Sequence, residues 1–219
     1  MLFTDDYAIA HRTAPYRRFR TWLGAALALV GVAVMIVAAA AAGARTRMRA
    51  HLANGGCAHA DSPATSASGQ EMRAAVVCLI NRQRAGRQLP AIRENGRLER
   101  AAQTWTNAMV ARHEFSEGSD FSTRVTAVGF SFSALGENIA TGFATPRAVV
   151  NAWMASTGHC RNILNPSYAD VGTGVNRHAI SGATRGGATW TQDFGLAIDQ
   201  RPPSDNWRPA DGCPYEGLS

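Results

Sequence analysis

Ala188-Thr189-Trp190-Thr191-Gln192-Asp193-Phe194 alternates strictly along its length, with Ala188, Trp190, Gln192 and Phe194 on one face of a strand. A shorter strand precedes it at Val171-Gly172-Thr173-Gly174-Val175, and a glycine-rich hairpin from Ser181 to Gly187 is expected to join the two. Upstream the period changes to that of a helix. Thr145-Pro146 reads as an N-cap followed by proline at the first helical position, with Val150, Trp153 and Met154 carrying the helix to Ser156. Leu98, Ala102, Trp105 and Met109 mark a helix ending near residue 112, and Met72, Val76, Leu79 and Ile80 one over 70–85, broken by Arg87-Gln88-Leu89-Pro90. Helices before and around a small antiparallel sheet give an α+β sandwich.

Outside this body the composition shifts. Residues 45–69 are small and polar, the composition of a linker ordered at most by a disulfide at Cys57, and residues 199–219 read as an extended tail tied down by Cys213. Trp22 to Ala44 holds no charged side chain, and as a helix would be about 34 Å long, enough for a hydrocarbon core of roughly 30 Å. The expected organisation is therefore a cytoplasmic segment 1–20, a membrane-spanning signal-anchor or signal peptide at 21–44, the linker, a domain over 70–198 and the tail. The length of the run favours an anchor; Ala42-Gly43-Ala44, a small-residue cleavage site, favours removal. In either case residues 45–219 are expected outside the cytoplasm.

Cysteine usage points the same way. Cys57, Cys78, Cys160 and Cys213 all follow the apolar run, and an even number in an exported domain reads as two disulfides. Of three connectivities, the sequential one, Cys57–Cys78 with Cys160–Cys213, is expected, since it staples each end to the body. The formal charge of +6 comes entirely from arginine, there being no lysine. Arg12, Arg17, Arg18, Arg20, Asp5 and Asp6 precede residue 45, leaving 18 Arg against 14 Asp and Glu in residues 45–219. These are scattered rather than clustered, so nucleic acid is not expected as a partner.

No G-x-S-x-G, Walker A or dinucleotide fingerprint is present. His113-Glu114-Phe115-Ser116-Glu117 falls one residue short of a zincin motif, although His113 and Glu117 would share a face if the helix continued. Glu137 lies between Gly136 and the apolar Ile139, and His159 is placed just past a helix end, where the dipole would favour imidazolium.

Gly136-Glu137-Asn138-Ile139-Ala140, Trp153-x-x-Ser156-x-Gly158-His159-x-Arg161-Asn162-Ile163-Leu164, Val171-Gly-x-Gly-Val175 and Trp190-Thr-Gln192-x-Phe194, in this order, resemble the bacterial CAP superfamily of cysteine-rich secretory, antigen 5 and pathogenesis-related 1 proteins. The resemblance spans about residues 71–198. It implies an α–β–α sandwich, secreted or at the cell surface, with a cleft of two histidines and two acids that in some members holds a divalent ion. Glu137 and His159 match two of the four positions. Glu117 stands where the bacterial pattern has histidine, and Ser156 where many eukaryotic members have an acid.

The expected cleft is thus His113, Glu117, Glu137 and His159, supported by Asn138, Ser156 and Gln192, with Glu137 and His159 as metal ligands if an ion binds. No cofactor is required for folding, and zinc, calcium or magnesium is the optional guest. Neighbouring carboxylates are expected to raise the pKa of one of their number and of His159. The resemblance implies a non-catalytic module binding a metal, a lipid or a protein. Phe121, Phe130, Phe132 and Phe143 are candidates for an apolar groove. The alternatives are a hydrolase using Ser156, His159 and Glu137, and a structural envelope protein.

Overall fold

Helix α1 (Gly69–Ala85) starts at a capping box: the Glu71 N–H donates to the Ser68 hydroxyl at 3.2 Å, and the Ser68 N–H to the Glu71 carboxylate at 2.7 Å. The short strand β1 (Arg93–Glu94) leads into α2 (Gly96–Arg112), capped by the Asn95 side chain, which accepts from the N–H groups of Arg97 and Leu98. Helix α3 (Phe121–Ala127) and strand β2 (Phe132–Phe143) follow. Helix α4 (Pro146–Met154) begins with Thr145 and Pro146 in the expected roles, and α5 (Thr157–Leu164) comes two residues after it ends. Strands β3 (Asp170–Asn176) and β4 (Ala188–Ala197) complete the chain order. The computed structural model describes residues 56–118, 120–180, 187–203 and 212–214, all within one unit spanning 55–219. The expected cytoplasmic segment and the span at 21–44 lie outside these residues, as does nearly all of the expected hairpin after Ile180. Among the described residues no helix is long and apolar enough to cross a membrane.

The sheet order is β1-β3-β4-β2, with β1 parallel to β3 and the other pairs antiparallel, so the sheet is mixed rather than purely antiparallel. Both faces of β4 are buried. Trp190 and Phe194 pack with Met72, Trp153 and Ile163 under α1, α4 and α5. The opposite face lies under α2, where Leu98 and Ala101 join Val125 and Phe130, while Trp105 and Met109 join Ile139. A helix approaches the sheet this closely because β3 carries Gly172 and Gly174: an added Cβ at either would overlap the α2 backbone, at Leu98–Glu99 and at Ala102–Gln103 respectively.

Both disulfides have the expected connectivity, Cys57–Cys78 and Cys160–Cys213. The expectation of a linker up to residue 69 does not survive for the part described. Cys57, Ala60, Ala64 and Ala67 are buried in the main core, the Ala64 N–H donates to the Ala144 carbonyl at 2.7 Å, and Asp61 pairs with Arg147. Small residues belong there because the segment lies directly on its neighbours.

Strand β2 is an edge strand of twelve residues, and unpaired edges invite association. Its outward carbonyls are covered by side chains. The Tyr168 hydroxyl donates to Leu135 O (2.7 Å), Asn162 Nδ2 to Glu137 O (2.9 Å) and Trp153 Nε1 to Ile139 O (3.2 Å).

Candidate functional site

Those edge contacts set the geometry at Glu137. Because its backbone faces outward, Glu137 stands opposite Asp193 of β4 in a non-hydrogen-bonded pair, the closer of the two antiparallel arrangements. Like charges directly opposite in a sheet repel, and here both side chains are withdrawn from water, Glu137 to 5% exposure and Asp193 to 1%. Arg124 of α3 answers part of that charge. Its Nη2 donates to Glu137 Oε2 at 2.7 Å and to the Glu117 carbonyl at 3.2 Å, while Nη1 pairs with Asp120. Its guanidinium lies 4.0 Å from the centroid of the Trp105 ring, the stacking that α2 supplies.

The second carboxylate has no such donor. Glu137 Oε1 and both oxygens of Asp193 are buried without a hydrogen-bond partner. Two facing carboxyl groups beside one guanidinium disfavour ionisation of both in a dry site. Burial pushes Glu137 above the usual carboxylate range in spite of Arg124. Burial and then the Glu137 charge carry Asp193 well above it.

On the other face of β2, Asn138 and Gln192 are struts. Asn138 Nδ2 donates to the His159 carbonyl (3.2 Å) and to Gln192 Oε1 (3.4 Å), while its Oδ1 accepts from Asn162 Nδ2 (2.9 Å). They hold α5, and so His159, on the edge strand. His159 does not end a helix, as the sequence implied, but sits in the first turn of α5. Its Nδ1 is 2.9 Å from the Ser156 hydroxyl. The expected rise in its pKa is also reversed: burial lowers it, against a smaller opposite pull from Glu117.

Of the four expected cleft residues, Glu117 and Glu137 meet at Arg124, whose Nη2 donates to the carbonyl of the one and the carboxylate of the other, and the Glu117 charge opposes the fall in the His159 pKa. His113 does not join them. Helix α2 stops at Arg112, and His113 takes the left-handed cap conformation (φ 53°), exposed, so the shared helical face with Glu117 never forms. Nor do the four phenylalanines line one groove. Phe121, Phe130 and Phe132 pack with Leu98 and Val125, whereas Phe143 packs against the main core.

The donor set does not fit a metal ion. One oxygen of Glu137 is committed to Arg124, and among the described residues no three of His, Cys, Asp and Glu are gathered where an ion would bind them. The two residues that sequence reasoning missed, Arg124 and Asp193, are the ones that partner Glu137. Asp193 follows Gln192 in a strand, and alternation places it on the face opposite Trp190, Gln192 and Phe194. Nothing in the sequence singles out Arg124 among 22 arginines.

The model of the cysteine-rich secretory protein (CAP) family matches residues 77–194. The Bacillus subtilis protein YkwD, itself uncharacterised, is 35% identical over 124 residues, which cover 54% of this chain and 45% of that protein. An extracellular SCP-domain protein of Bacillus anthracis superposes with a TM-score of 0.52 at 24% identity, over 58% of this chain and 41% of the other. An outer surface protein of Borrelia burgdorferi gives 0.50 at 19% identity, over 56% and 90%. The chain thus spans less than half the length of the two Bacillus proteins, and the two structures, being under 25% identical, show likeness of fold.

Proposed function

Because this chain belongs to the cysteine-rich secretory protein (CAP) family, we propose that it is an exported binding module, not an enzyme, whose polar cleft at the β2 edge receives a lipid or protein ligand. Export is supported by the two disulfides, which persist in oxidising compartments. It agrees with the names of the two structural relatives, one extracellular and one an outer surface protein. Residues 21–44 would hold the module at a membrane if they are retained. Folding requires no cofactor, since a core on both sides of the sheet and two disulfides suffice.

One observation carries the non-catalytic reading. Glu137, the acid a hydrolase would need behind its histidine, is held by Arg124 and faces Asp193. A second reading rests on the 2.9 Å contact between Ser156 Oγ and His159 Nδ1, a nucleophile–base pair for which Glu117 would be the carboxylate. A fluorophosphonate probe separates the two. The binding module leaves Ser156 unlabelled; labelling that disappears in Ser156→Ala overturns it in favour of the hydrolase.

A further inference from the structure

We infer that Arg124 is the resident cation of this cleft: its guanidinium takes the place at Glu137 that a divalent ion would need, so the wild-type protein binds no divalent metal through Glu137. Both the pairing and the exclusion follow from geometry. The Arg124 side chain is only 11% exposed, and its guanidinium is backed by the Trp105 ring at 4.0 Å and reaches Glu137, Asp120 and the Glu117 carbonyl with its two amino groups. An ion approaching Glu137 Oε2 would meet a like charge already bonded to it, and displacing that charge would strip Arg124 of three contacts at once. The other side of Glu137 faces Asp193, which is 1% exposed and out of reach of an ion arriving from solvent. Trp105 is itself held to the loop that carries Glu117, its Nε1 donating to the Ser116 carbonyl at 3.1 Å. The loop, the ring and the guanidinium therefore form one assembly built around the Glu137 charge. The inference holds whatever the cleft binds.

The test has two arms on the purified, oxidised full chain. In the first, zinc, calcium and magnesium are each titrated calorimetrically into the wild type and Glu137→Gln. The expected result is no saturable binding that depends on Glu137; binding that weakens more than tenfold in Glu137→Gln overturns the inference. In the second, urea unfolding of Arg124→Met, Glu137→Gln and the double variant forms a double-mutant cycle. Arg124→Met is expected to lower the folding constant more than tenfold, and at least tenfold of this should be recovered when Glu137 is also neutralised. An arginine that served only to pack on Trp105 would not be rescued by Glu137→Gln. A coupling below twofold therefore overturns the inference as well. If Arg124→Met does not fold, the first arm still decides.

Discussion

Arg84 and Arg124 are both withdrawn from solvent, yet they are held mainly by different kinds of partner. Arg84, fully buried on α1, gives all its bonds to backbone carbonyls: Nε to Pro90 (2.8 Å), Nη1 to Ile163 (2.9 Å) and Asn165 (2.8 Å), and Nη2 to Tyr168 (3.5 Å). Burial pulls its pKa down to about 10, which still leaves it charged at neutral pH. It binds the exit of α5, where helix carbonyls lack partners and the dipole favours a cation. Arg124 instead pairs with the side-chain carboxylates of Asp120 and Glu137, besides one bond to the Glu117 carbonyl. A cation held by backbone dipoles serves the fold, because nothing in its surroundings can change charge. One held by titratable groups belongs to a site.

This contrast is open to attack at several points. Arg84→Ala orphans four carbonyls and opens a void, and is expected to cost about 3–5 kcal/mol in urea unfolding at neutral pH. A loss below about 1 kcal/mol would mean that water replaces the guanidinium and that Arg84 is dispensable. Arg124→Met is expected to cost less, about 2–3 kcal/mol, because its partner Glu137 can respond by binding a proton. Unlike the loss at Arg84, this one should shrink at mild acid.

A pH series sharpens the difference further. In the folded protein burial keeps the Glu137–Asp193 pair protonated at pH values where the unfolded chain has released its protons. The folded state therefore binds more protons, and the pair's contribution makes stability fall as pH rises from the ordinary carboxylate range towards neutrality. Urea midpoints of wild type and Asp193→Asn between pH 5 and 8 should show this slope in the former and its loss in the latter. An unchanged slope would remove the pair's protonation from the account. His159 works in the opposite sense. Its lowered pKa means that below the ordinary histidine value the unfolded chain takes up a proton that the folded one refuses, so acid costs stability. The smallest effect is expected for Ser156→Ala, about 0.5–1 kcal/mol from one half-buried hydrogen bond, read from the same unfolding curves.

Local signals were the legible ones. Thr145-Pro146, the apolar periods of α1 and α2 and the alternation of β4 each state their element within a few residues, since caps and periodicity act over one or two turns. Strand β2 was not read as a strand, because Leu135-Gly136-Glu137-Asn138-Ile139 mixes apolar and polar side chains on each face. Those polar residues are explained only by partners more than ten positions away: Arg124 for Glu137, and His159, Asn162 and Gln192 for Asn138. Helix α5 escaped for a related reason, since Gly158 and His159 read as the end of α4 when the two-residue turn at Ala155-Ser156 is not visible.

By itself the sequence determined the class of fold, three of the five helices among the described residues, two strands, the oxidised cysteines and the ordered motifs that mark the family, all of them carried by neighbours along the chain. It also brought Glu117, Glu137 and His159 forward as a set. Tertiary structure alone decided what that set is. The packing of α2 on glycines 172 and 174 dried the face that holds Asp193, and the placing of α3 beside Trp105 delivered Arg124 to Glu137. The charge of a buried carboxyl pair depends on which groups surround it in space, and that arrangement arises only when the layers close.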